Sequence, residues 1–176
     1  MAEITGVKRY IDELEIKYRA AVSESTFTKI GAMINFLGRK THEKKDFFLN
    51  GRYGVASTPA LGVDGLCVFQ FDAEIFAVYM FNHVAGSSGT TELDVKKQTT
   101  SGGAYSTIFS TTPKITSAAG NYARVGTGEV VAGCTAPVLT STPLNVSAGE
   151  ALRLDLISAQ GGTPENCGII VHFRPR

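Results

Sequence analysis

The 176-residue chain has no excess of either charge, little cysteine and no apolar run of membrane-spanning length. Lys and Arg number 17 against 16 Asp and Glu, a formal net charge of +1. No whole-chain attraction to nucleic acid or to an anionic lipid surface follows from that balance. No apolar stretch reaches the roughly 18 residues that a membrane helix requires, so a soluble globular protein is expected. Met1-Ala2-Glu3-Ile4 offers no basic stretch leading into an apolar one, which argues against a signal peptide and for synthesis in a cytoplasm. The three cysteines, Cys67, Cys134 and Cys167, are odd in number and far apart. They form neither a disulfide framework nor a paired metal knuckle, and are expected as small buried hydrophobes.

What is present changes character near residue 50. Residues 1–50 hold nine basic and seven acidic groups but only three glycines; residues 51–176 hold eight basic and nine acidic groups and sixteen glycines. The expected organisation is therefore a helical docking arm and junction over 1–50 and an antiparallel β-sandwich over 51–176. In the first part Ile4, Val7, Ile11, Leu14 and Tyr18 recur at alternating spacings of three and four. That spacing lines one face of a helix whose other sides carry Lys8, Arg9, Asp12, Glu13, Glu15, Lys17 and Arg19. The stripe needs an apolar partner and is the candidate protein-binding surface. Ser23 or Ser25 can cap a second helix through Phe27, Ile30, Met33, Ile34 and Leu37, with Gly38 at its stop position. A polar junction is expected over 41–46, with turn chemistry at Asn50-Gly51 and Arg52-Tyr53-Gly54.

From about residue 63 the apolar period falls from 3.6 to 2. Strands are predicted over 66–71, 74–84, 90–97, 105–111, 129–133, 136–140, 151–158 and 167–174. Glu92-Leu93-Asp94-Val95-Lys96 and Leu152-Arg153-Leu154-Asp155-Leu156 alternate most cleanly, aliphatic on one face and charged on the other, as a sheet with one wet side requires. No helical crossover fits between the strands, so the pairing should be antiparallel, and eight short strands suggest a jelly roll.

The chain shows no catalytic or cofactor-binding motif. In His42-Glu43-Lys44-Lys45-Asp46 the position that would supply a second zinc-binding histidine is Asp46, so no metal site is expected there. Gly86-Ser87-Ser88-Gly89 and Gly126-Thr127-Gly128 lack the phosphate-loop continuation and read as hairpin loops. His83 and His172 sit on strands far in sequence from any cysteine partner, Asp72 and Glu74 bracket a turn, and structural roles are expected for all four. Arg174-Pro175-Arg176 forms a basic tail that is either loose or held by an acidic surface. Among the aromatics Phe69, Phe71, Phe76, Tyr79 and Phe81, Tyr79 and Phe81 share the face opposite Val78 and Met80. If both faces of that strand are covered, a neighbouring protomer is the economical cover.

Three segments carry a resemblance. They are Gly89-Thr90-Thr91-Glu92-Leu93-Asp94-Val95, Ser106-Thr107-Ile108-Phe109-Ser110-Thr111 and Ala148-Gly149-Glu150-Ala151-Leu152-Arg153-Leu154-Asp155-Leu156. Together, over residues 74–173, they resemble the small β-sandwich modules of tailed-bacteriophage virion proteins, which have a GTT-x-x-D-V strand, an S-I-F-S-T strand and an A-G-D-x-L strand in that order. Glu150 stands where those modules carry aspartate, and the first third of the chain lies outside the pattern. The resemblance implies a non-enzymatic virion component. A capsid decoration or cement protein bound to the major capsid protein on the capsid surface is expected, as a homo-oligomer with a trimer favoured and with no cofactor, metal, nucleic acid or membrane partner. The alternative is a tail-tip, fibre or baseplate module that binds a host receptor through loops 101–103 and 161–166, or that joins tail components. A cell-wall hydrolase, which would require a carboxylate pair in a cleft, finds no motif.

Overall fold

The computed structural model describes residues 43–52 and 60–176; the predicted helical arm, with Ile4, Val7, Ile11, Leu14 and Tyr18, lies outside the described residues. The described chain is mainly β. Among these residues there is no α-helix and only a single 3-10 turn, Ser117–Ala119.

Alternation dictates which residues face inward. Strand β3 (Ala73–Val84) buries Ala73, Ile75, Val78 and Met80. Its inward phase slips by one residue at Phe76-Ala77, and the Thr127 hydroxyl accepts from Val78 N (3.0 Å) beside the slip. Strand β13 (Glu165–Pro175) buries Cys167, Ile169, Val171 and Phe173, and β1 (Glu43–Arg52) contributes Phe47. These three strands lie in the order β1-β13-β3, and two three-residue strands, β8 (Arg124–Gly126) and β11 (Leu144–Val146), pair with β3 to complete a five-stranded sheet.

The second sheet is built alike. Strands β2 (Ala60–Val68), β12 (Ala151–Ser158) and β4 (Thr90–Gln98) lie side by side. The far edge of β4 is shared by β7 (Lys114–Thr116) and β5 (Tyr105–Thr107), and β9 (Cys134–Thr135) pairs with β7. Leu93, Val95, Ile115, Leu152, Leu154 and Leu156 of this sheet join the inward residues of the first sheet in one hydrophobic core. Ile108, Phe109 and Leu139 enter that core from the loops that carry a small β6 (Phe109–Thr111) to β10 (Val138–Leu139) pair.

The pairings nest. The first strand pairs with the last, β2 with the next to last, β3 with β11 and β4 with β7, each of them antiparallel. Glu43 stands opposite Phe173, so the chain enters the first sheet at the end where it also leaves it.

Several expectations need correcting. The segment 43–52, expected as polar junction and turn, is strand β1, and it straddles the boundary placed at residue 50. Residues 129–133, expected as a strand, form a loop in which Val130 is wholly exposed. The short strands β7, β8 and β11 fall in segments with no predicted strand. Of the two readings of the Arg174 tail, the held one is observed: Arg174 pairs with Glu74 and lies over the Phe76 ring (5.7 Å), and Arg176 N donates to Asp72 O (2.9 Å).

Candidate functional site

The polar residues of the three resembling segments converge on the outer face of the second sheet. Asp94 of β4 stands directly across from Asp155 of β12, and Lys96 across from Arg153. Facing like charges would repel, but the contacts run diagonally. Lys96 Nζ lies 3.1 Å from Asp155 Oδ2 and 3.9 Å from Asp94 Oδ2. Arg153 Nη2 donates to Asp155 Oδ2 (3.1 Å), and its Nε, 3.1 Å from Oδ1, contributes charge without an aligned second hydrogen bond. Thr107 donates to Asp94 (2.5 Å), and the Arg153 guanidinium lies 4.0 Å over the Tyr105 ring, which ties β5 to the group. Asp155 has no exposed surface and Asp94 only 5%. The carboxylates of this face, expected to be wet, are instead buried beneath two partly exposed cations.

Its electrostatics suit architecture better than chemistry. Burial raises the Asp94 carboxyl above the ordinary aspartate range; the Thr107 hydrogen bond and Lys96 oppose the rise, and Asp155 and Glu92 add to it. A proton-transfer carboxylate needs a cleft beside it, whereas Asp94 and Asp155 are capped by Lys96, Arg153 and Tyr105. Glu150 is structural too: its carboxylate accepts from Ser147 N (2.8 Å) across the turn and pairs with Lys97 (3.0 Å). The added methylene relative to aspartate lets one side chain make both contacts.

The other sequence candidates are kept apart. Asp72 Oδ1 accepts from Ala148 N (2.9 Å) while Glu74 is taken up by Arg174, so the two carboxylates serve different contacts. Cys67 and Cys134, expected to be buried, are half-buried, and burial raises both thiols, with Lys45 opposing at Cys67, which is the reverse of an activated nucleophile; Cys167 is fully buried. Among the described residues no group of three or more His, Cys, Asp or Glu side chains is placed to hold a metal ion. Loops 101–103 and 161–166 lie near opposite ends of β4. Gly161 bridges to Ser88 just before β4 begins, and Gln98 at its other end donates to Gly103 O (2.6 Å). A nine-residue strand puts roughly 27 Å between them.

The outer face of the first sheet is different in kind. His172 packs between Tyr79 (5.4 Å) and Phe76 (6.2 Å), and Phe48 meets Phe81 edge-on (5.6 Å) above Gly168. A Cβ at Gly168 would strike Phe47 O and the Phe81 ring, so glycine here lets the two aromatics settle onto the sheet. The rings expected to await a neighbouring protomer are thus partly covered from within the chain. Beyond them Phe48, Phe81, His83, Tyr122, Arg124 and Asn166 line an open depression of about 430 Å³. Tyr122 is 73% exposed, its ring held edge-on against His83 (4.7 Å). Among the described residues Tyr122 (φ 58°) and Asn166 (φ 52°) are the non-glycine residues with left-handed backbones, and both belong to this depression. For tyrosine that conformation costs on the order of 1 kcal/mol. Nothing in the local sequence marks this site, because its residues come from β1, β3, β8, β13 and the loop before β8.

No family model matches the chain, and no curated protein matches it. Among solved structures it is similar to the crystal structure of the SPBc2 prophage-derived protein YomS, at 14% identity over 75% of this chain and 96% of that one, with a TM-score of 0.31. A superposition that loose carries no argument about fold or role.

Proposed function

We propose that the chain is a non-enzymatic structural protein of a tailed-phage virion, a capsid decoration or cement protein that binds the major capsid protein shell and stabilises it. One observation carries the reading. The segments that resemble phage sandwich modules meet in the Asp94, Thr107 and Asp155 cluster, so the resemblance follows residues that build a body together. The nested pairing of β1 with β13, β2 with β12, β3 with β11 and β4 with β7 supports a jelly roll, a double-sheet architecture found in capsid domains.

In this reading the body is a rigid block and adhesion is the activity. Ile4, Val7, Ile11, Leu14 and Tyr18 form the docking surface, tethered where β1 starts. At about 1.5 to 3 kcal/mol per buried side chain, five such residues supply several kcal/mol per copy, less the cost of ordering the segment. Copies joined in a homo-oligomer, trimer favoured, add through effective concentration. Removing residues 1–24 and measuring occupancy on empty capsids tests this: occupancy should fall by at least an order of magnitude, and unchanged occupancy defeats the assignment. The tail-tip, fibre or baseplate alternative is separated by imaging particles, since a shell component is present in hundreds of copies and a tail component in small multiples of three or six, as closed symmetry dictates.

A further inference from the structure

We propose that the depression formed by Phe48, Phe81, His83, Tyr122, Arg124 and Asn166 binds a carboxylate-bearing sugar unit, an activity separate from attachment to a particle and independent of the chain's place in one. Three observations converge on it. Its volume of about 430 Å³ lies in the range of small-ligand sites, and its makeup is theirs: aromatic walls with a few polar groups at the rim. Two left-handed, non-glycine backbones from distant parts of the chain meet there, so the tyrosine is presented at a conformational cost. Arg124 is exposed and, like Lys45 and Arg176, carries no ion pair among the described residues, while Lys44, Lys96, Lys97, Lys114, Arg153 and Arg174 each have an acidic partner.

Those features define the ligand's chemistry. A pyranose has an apolar C–H face suited to an exposed aromatic ring, and an edge hydroxyl suited to the imidazole of His83. A carboxylate on that ring meets the planar fork of Arg124, whose geometry matches two carboxylate oxygens. The residues lining the depression include no carboxylate that would repel it. A protein side-chain anchor fits less well, since anchors favour closed, fully desolvated sockets and this depression is open.

Saturation-transfer NMR and titration calorimetry on the full chain test it, with N-acetylneuraminic acid and D-glucuronic acid as probes and D-glucose as the neutral comparison. At least one acidic sugar should bind, with glucose markedly weaker. Arg124→Gln, a change at an exposed side chain, should weaken acidic-sugar binding by about tenfold or more. Tyr122→Asn, which keeps a residue tolerant of the left-handed backbone, should abolish it while the thermal transition stays in place. Binding by neither acid overturns the proposal, as does glucose binding equally well or binding that survives Arg124→Gln unchanged. Loss of capsid occupancy in these variants without any sugar binding would also overturn it and make the face a protein contact.

Discussion

Asp155 shows how one residue's role depends on its neighbours. In sequence it is the charged member of an alternating strand, fit for solvent. In the fold it is fully buried beneath Lys96 and Arg153, both of which take their main acidic contact from it. Removing it leaves two cations with weakened pairing in a poorly solvated place. Asp155→Ala should therefore cost about 2 to 3 kcal/mol, less than for a fully buried pair because both cations retain access to water. Urea denaturation monitored by circular dichroism checks this, and a loss below about 0.5 kcal/mol would reduce the cluster to ordinary surface charges. Gln160 makes the same point without charge. It is fully buried and donates to Ile115 O (2.9 Å) while accepting from Gly86 N, stitching two loops to β7, yet nothing around it in sequence distinguishes it from a surface glutamine.

At the scale of elements, strands with their own alternation were legible and strands that depend on a partner were not. The 151–158 segment reads directly because three leucines alternate with Arg153 and Asp155, and the observed β12 has those limits. Strand β1 hides behind Glu43, Lys44, Lys45 and Asp46. It is an edge strand, where lysines discourage further pairing, so its sequence is more polar than that of an interior strand. Its fully buried Phe47 pairs in register with Ile169. Phe47→Ala should cost about 3 to 4 kcal/mol by opening a cavity between β1 and the core, measured as a shift in denaturation midpoint. A shift near zero would mean that β1 contributes little to the body. The opposite error at 129–133 has a related origin: Val130 and Val131 look like strand residues, but the backbone bonds here close turns, Glu129 N donating to Gly126 O (3.0 Å) and Cys134 N to Val131 O (3.1 Å).

For the whole molecule, the nested pairing means that the β body is closed by contacts between residues more than a hundred positions apart, such as Phe47 with Ile169. Among the described residues its core runs from Phe47 to Phe173. A chain beginning at residue 43 should therefore unfold cooperatively with a midpoint close to that of the full chain, by urea titration followed with far-ultraviolet circular dichroism. Loss of cooperative unfolding would show that residues 1–42 belong to the folding unit. The candidate docking stripe was read wholly from sequence periodicity, whereas the aromatic depression was found only in three dimensions.

What the sequence alone determined is what local spacing can encode: a β-rich body, the antiparallel pairing, the aliphatic faces of β4 and β12, and the absence of a recognisable catalytic motif. Only the tertiary structure decided that β1 exists, that Asp94 and Asp155 are interior, and that Phe48, Tyr122, Arg124 and Asn166 meet. The reason is physical. Alternation is a property of neighbouring residues, while the partner across a strand and the burial of a charge arise from segments brought together by folding.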